Sequence, residues 1–202
     1  LLYKTAYLPD ERFTDTIETK SGVINVSADG VVYGGGNYDG KFNTGLLHDD
    51  NSVVRAYAMS AFHPEPKKIL VIGLSSGAWA QVLAHNPKVE SVTIIEINKG
   101  YLELIKRYPL VVSLLENPKV TIIIDDARRW MGAHPGEKFD FILSNTMIHW
   151  RGYASNLLSR EYLQEIRNHL APGGVYYFNS TWYPEDSAQQ FWNSLTPIDL
   201  SR

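Results

Sequence analysis

Ile69-Leu70-Val71-Ile72-Gly73-Leu74-Ser75-Ser76-Gly77 decides the fold. Four apolar residues, three of them β-branched, make a strand too apolar to face water on either side. The strand runs straight into a loop with two glycines. A helical pattern follows, in which Trp79, Val82 and Leu83 share one face. The same alternation continues downstream. Strands are predicted at Val92–Ile95, Val120–Ile124, Phe141–Leu143 and Val175–Phe178. Between them, Tyr101, Leu104, Ile105 and Tyr108 form one helical face, and Tyr162, Leu163, Ile166 and Leu170 form another that Pro172-Gly173-Gly174 brings to a stop. Strand–helix alternation of this kind implies α/β architecture, with a doubly wound, mostly parallel Rossmann-like sheet and right-handed crossovers.

Upstream the period is different. Between Arg12 and Tyr33, short β-prone runs are broken by Ser21-Gly22 and Asp29-Gly30, and Asp-Gly between apolar runs predicts a hairpin. Gly34-Gly35-Gly36-Asn37-Tyr38-Asp39-Gly40 is expected to be a loop. The predicted organisation is a small N-terminal β-hairpin lobe over 1–47 and a cofactor-binding domain over 48–202, entered by a linking helix near 49–62. The 202 residues are 44% hydrophobic and 20% charged, which is ordinary for a globular chain, and the net charge is -3. That charge disfavours nucleic acid as a partner. The absence of cysteine excludes disulfides, thiolate metal sites and cysteine nucleophiles. No cluster of His, Asp and Glu has ligand spacing, so no metal is expected. No apolar run reaches the ~20 residues that span a bilayer. The expected location is therefore the cytoplasm, with a membrane-anchoring segment outside the stretch left open. The chain starts Leu1-Leu2-Tyr3, as a fragment of a larger protein would.

Open α/β sheets bind ligands beyond the carboxyl ends of their strands. Three candidate positions fall there in order. Gly73, Ser75, Ser76 and Gly77 form a loop whose backbone can come close to a ligand, although a tight strand-to-helix turn needs the same glycines. Glu96 ends the second strand, 23 residues after Gly73, where a carboxylate can accept both ribose hydroxyls of a nucleoside; its alternative is a solvated helix cap. Asp126, followed by Ala127, comes after the third strand and can accept the exocyclic amine of adenine; its alternative is the N-cap of the next helix. The loop lacks the three-glycine pattern of dinucleotide sites, and S-adenosyl cofactors, which have no pyrophosphate, tolerate such a loop. The predicted fold is accordingly of the methyltransferase type.

Several stretches resemble the spermidine synthase (polyamine aminopropyltransferase) family. They are Pro66–Gly73, Pro118–Ala127, Glu137–Ile142, Arg160-Glu161-Tyr162 and Leu170–Val175, and the small β lobe ahead of them is also the family's arrangement. The resemblance implies that Gly73, Ser75 and Gly77 line S-adenosylmethionine or its decarboxylated form, that Glu96 holds the ribose, and that Asp126 with Ala127 holds the adenine. The reacting end differs. The family's aspartate after the fourth strand falls at Asn145, its loop acid at Ser76, and its tyrosine–histidine pair near Asn51-Ser52.

The expected activity is methyl or aminopropyl transfer to a small acceptor, with an amine among the acceptors considered. Asn145 and His149 are the candidate catalytic residues. His149 is the better general base, because an amide cannot take a proton near neutral pH. Trp150, Arg151, Tyr153, Thr181, Trp182 and Tyr183 flank the same opening, and Asp49 and Asp50 are candidates to meet an acceptor's charge or to start a helix. Two alternatives remain. One is a catalytically degenerate binding or interaction module. The other is an α/β-hydrolase, since Gly73-Leu74-Ser75-Ser76-Gly77 also fits G-x-S-x-G with Ser75 as nucleophile and Gly34-Gly35-Gly36 as an oxyanion loop. The last strand has no predicted neighbour beyond it, so a partner chain, in a homodimer, is expected to cover its edge.

Overall fold

The computed structural model describes residues 12–147 and 154–180. Two sheets are present. The first is an antiparallel meander of β1 (Phe13–Thr19), β2 (Gly22–Ser27), β3 (Val31–Gly34) and β4 (Asn37–Lys41). The second is parallel and contains β5 (Lys68–Ile72), β6 (Ser91–Glu96), β7 (Val120–Ile124), β8 (Phe139–Met147) and β9 (Leu170–Ser180), in the order β7-β6-β5-β8-β9. The order reverses at β5, which pairs with β6 on one side and β8 on the other. The glycine loop therefore leaves the sheet at its switch point, where such sheets place ligands.

Unbroken apolar runs are explained by cover on both faces. Ile69 and Val71 of β5, with Phe141 and Leu143 of β8, pack on α3 (Ala78–His85) and the small sheet. Leu70 and Ile72 point the other way, with Ile142, onto α6 (Ala127–Ala133) and α7 (Arg160–His169). Between β6 and β7 lie α4 (Gly100–Ile105), α5 (Pro109–Val112) and a 3-10 turn over Ser113–Leu115.

Four expectations need correction. The glycine-rich stretch is not a loop. Gly35 (φ 59°) and Gly36 (φ 84°) make a two-residue turn, and Asn37–Lys41 pairs back on β3. Two successive positive φ values are what such a hairpin turn requires. The linking helix starts later, where the Asp49 carboxylate accepts the N–H of Val53 at 2.7 Å and of Val54 at 2.9 Å, and it is divided at Ala58 into α1 (Val54–Tyr57) and α2 (Met59–Phe62). The late helix ends at His169, ahead of Pro172, and residues 170–174 already belong to β9. There the register slips between Phe139↔Leu170 and Phe141↔Val175. Leu163, placed on the buried helical face by its spacing, is 36% exposed.

The small sheet is fastened to the parallel one by polar and aromatic contacts. Phe42 stacks on Tyr108 with ring centroids 3.7 Å apart, and Asp15 accepts from Tyr108 at 2.8 Å and from Arg107 at 2.5 Å. Among the described residues no helix is long and apolar enough to cross a membrane, and no group of three or more His, Asp and Glu side chains could hold a metal ion.

Candidate cofactor and acceptor site

Three strand ends converge at one edge. The Gly73 N–H donates to the Ile95 carbonyl at 2.9 Å, and the Asp125 N–H donates to the Glu96 carbonyl at 3.0 Å. These bonds hold the ends of β5, β6 and β7 side by side. The loop after β5 turns left-handed three times, at Gly73 (φ 91°), Ser75 (φ 51°) and Gly77 (φ 76°). A serine at positive φ is uncommon and costs energy, and such strain collects at ligand sites.

Glu96 is 4% exposed. One carboxylate oxygen accepts the Leu74 N–H at 2.7 Å and the other accepts the Asn98 N–H at 2.7 Å. A carboxylate offers about four acceptor positions, so with the Leu74, Asn98 and Ser75 N–H groups on it, it still has capacity for a ligand hydroxyl. Burial raises its pKa to about 7, against the pull of the Asn98, Leu74 and Ser75 N–H groups, and the nearby Asp39 carboxylate pushes the same way as burial. The side chain thus ties the glycine loop to β6 and sits where a small change in surroundings decides its charge.

Asp126 does what its alternative reading predicted. It caps α6, accepting the Arg128 N–H at 2.9 Å, and its two oxygens also meet the Arg128 side chain at 3.1 and 2.6 Å. The Arg128 side chain holds its carboxyl below the ordinary range. Arg129 is likewise paired with Asp125. The one compact basic cluster of the sequence is therefore neutralised locally. Ala127, beside the cap, is 7% exposed and packs under the sheet.

Ser75 and Ser76 are buried. The Ser75 hydroxyl donates to the backbone carbonyl of Asp39, and no imidazole is its partner among the described residues. The proposed oxyanion glycines are the hairpin turn described above. Among the described residues neither half of a hydrolase site is assembled. The Ser76 hydroxyl accepts the Ala78 N–H at 3.4 Å.

Asp39 was not singled out by the sequence. It is delivered by β4, its carbonyl meets Ser75, and its carboxylate accepts the hydroxyl of Tyr101, a buried residue of α4. Gly40 beside it has φ 145°, and a Cβ there would lie 2.7 Å from the Ser75 hydroxyl and 3.3 Å from that of Ser76. That glycine was the only local signal of the close approach. Asn51, near which the family's tyrosine–histidine pair falls, has its amide occupied as a substitute peptide. It accepts the Lys41 N–H and donates to the Lys41 carbonyl, both at 2.8 Å. Asp50 is paired with Lys41 at 2.7 Å. Asp49 and Asp50 thus serve structure.

At the ends of β8 and β9 the polar residues are amides and an arginine. Asn145, 9% exposed, donates weakly to the Gly73 carbonyl at 3.5 Å. The Asn145 carbonyl accepts from Asn179 at 2.8 Å, and the Asn179 side-chain oxygen accepts from Arg55 of α1. His149, with Trp150, Arg151, Tyr153, Thr181, Trp182 and Tyr183, lies outside the described residues.

Strand order, the loop at the switch point and the antiparallel sheet ahead of it define the class as a doubly wound α/β fold of the methyltransferase kind. The Spermine/spermidine synthase domain matches residues 56–198, and the chain belongs to that family. It is 37% identical over 114 residues to a spermidine synthase of Dictyostelium discoideum, covering 56% of this chain and 39% of that protein. It is 29% identical over 115 residues to putrescine N-methyltransferase 2 of Nicotiana attenuata, covering 55% of this chain and 30% of that one. The crystal structure of a spermidine synthase in complex with the transition-state analogue AdoDATO superposes with a TM-score of 0.66 at 21% identity, over 82% of this chain and 57% of that one. The matched region is under two thirds of each relative's length.

Proposed function

We propose that this chain binds an adenosyl sulfonium, S-adenosylmethionine or its decarboxylated form, across the ends of β5–β7 and supports alkyl transfer to a small acceptor. The single observation behind this reading is Glu96, a buried carboxylate held by N–H groups of the loop and the strand end with acceptor capacity to spare. When bound, such a cofactor supplies an electrophilic carbon beside a positive sulfur and leaves as a neutral thioether. The chain supplies position and charge. Glu96 takes the ribose hydroxyls. The Gly73–Gly77 backbone approaches the sulfonium end, and Asp126 with Ala127 borders the base, Asp126 sharing its carboxylate with Arg128. The division between a cover of residues 1–47 and a binding unit of 48–202 belongs to the same proposal.

The identity of the transferred group and of the acceptor depends on Asn145. In aminopropyl transfer the amine forms a bond to carbon, the carbon–sulfur bond breaks with its electrons going to sulfur, and the ammonium proton must leave. A primary amine has a pKa near that of lysine, about 10.4, so it arrives protonated. A carboxylate could attract it and take the proton; Asn145 does neither. General-base assistance is typically worth about 10²–10⁴-fold. The expected outcome is slow or undetectable conversion of putrescine with decarboxylated S-adenosylmethionine, and a gain in Asn145→Asp, read as radiolabelled product. Rapid turnover by the unmodified chain would contradict this assignment. The relationship to both aminopropyl and N-methyl transferases keeps both donor forms in the assay.

A further inference from the structure

At the ends of β8 and β9 a positive charge meets an amide and, among the described residues, no acid. Arg55 lies on α1 with its guanidinium carbon 6.0 Å from the centroid of the Trp79 ring, just after the glycine loop. It donates to the side-chain oxygen of Asn179 on β9, and Asn179 in turn holds the Asn145 carbonyl on β8. The strand parity agrees: Phe141, Leu143 and Asn145 alternate onto one face of β8, and Val175, Tyr177 and Asn179 onto the corresponding face of β9. Below these amides that face is the core that packs on α1 and α3. The guanidinium therefore stands at the polar tip of a packed face, at the ends of the strands that border the glycine loop.

Its known partner is a neutral amide oxygen. Among the described residues Arg55 forms no ion pair, whereas nine other Lys and Arg contacts with acids do occur. A guanidinium has five N–H donors in a planar fork, suited to two-point binding of a carboxylate. Trp79, 6% exposed and donating its indole N–H to the Asn51 carbonyl at 3.0 Å, presents its ring to the guanidinium at cation–π range. The same charge repels a diamine.

We propose that Arg55 is a specificity residue that binds a carboxylate of the donor or the acceptor and so selects carboxylate-bearing ligands over diamines. This rests on the adenosyl-sulfonium reading above. A new anion contact of this kind changes affinity by about ten- to a hundredfold.

Calorimetry on the whole chain separates the two sources. S-adenosylmethionine and its decarboxylated form differ by one carboxylate. With 5′-methylthioadenosine filling the donor site, 4-aminobutyrate and putrescine differ by a carboxylate in place of an aminomethyl group. The unmodified chain is expected to prefer the carboxylate member of one pair by about tenfold or more. Arg55→Met should abolish that preference, and Asn179→Asp should do so while Arg55 stays in place, by giving the guanidinium an internal anion. Loss in the first pair assigns the donor; loss in the second assigns the acceptor. No preference in either pair, or a preference untouched by both variants, overturns the proposal. Failure of 5′-methylthioadenosine itself to bind the unmodified chain instead removes the adenosyl reading and this inference with it. Arg55→Met with an unchanged melting transition excludes unfolding as the cause of a lost preference.

Discussion

Glu96 should make the fold lose stability as pH rises. Its pKa is raised from an ordinary 4.5 to about 7 in the folded chain, with burial the leading cause. Between those two values the folded state holds a proton that the unfolded chain has released. Stability contributed by this group is therefore complete below about pH 4.5 and falls as pH climbs through about 7, after which it is flat. One pKa unit corresponds to about 1.4 kcal/mol, so the whole change is about 3 kcal/mol. Other groups titrate too, and Glu96→Gln isolates this one because glutamine does not ionise. Urea unfolding of both proteins from about pH 5 to about pH 8 gives two curves whose difference is the Glu96 contribution. That difference should slope downward with pH for the unmodified chain relative to the variant. Parallel curves would refute the claim that Glu96 is buried against its own charge.

Two further outcomes test the loop. Gly40→Ala forces a side chain toward the hydroxyls of Ser75 and Ser76 at a φ of 145°, and is expected to cost about 1–3 kcal/mol in urea unfolding and to weaken adenosyl-ligand binding in parallel. Ser75, whose hydroxyl donates to a backbone carbonyl, should remain unlabelled by a fluorophosphonate probe under conditions that label serine hydrolases; stoichiometric labelling would reverse the assignment of this loop.

The parallel sheet was legible because its signals are local and repeated. Runs such as Ile69–Ile72 are apolar on both faces, and each is followed by a helical pattern. The candidate acids Glu96 and Asp126 stand out by their positions after successive strands, although Asp126 is engaged as a helix cap and by Arg128. Elements whose geometry depends on two consecutive glycines or on a tertiary cap were less legible. Gly34-Gly35-Gly36 has the composition of a loop, yet its positive φ values fold it into a hairpin. The region of 49–62 has the composition of one helix, yet the Asp49 carboxylate sets its entry later. Asp39, Arg55 and Asn179 were invisible as candidate site residues because they come from three separate segments. Asp39 meets Ser75 across 36 residues of sequence, and Arg55 meets Asn179 across 124. No spacing rule connects such positions, and only the packed sheet brings them to one edge.

The central claim, an adenosyl site built on Glu96, is tested most directly by calorimetric titration with 5′-methylthioadenosine. That ligand keeps the ribose and the base and has neither the amine nor the carboxylate of the donor tail. Its ribose hydroxyls would donate to Glu96 and favour the ionised form, so binding near pH 7 should release a proton, seen as a dependence of the heat on the buffer's ionisation enthalpy. Each charge-assisted hydrogen bond is worth about 1.5–3 kcal/mol, so Glu96→Ala should weaken binding by at least about tenfold and abolish the proton release. Undiminished affinity in Glu96→Ala, with no proton released by the unmodified chain, would contradict the account.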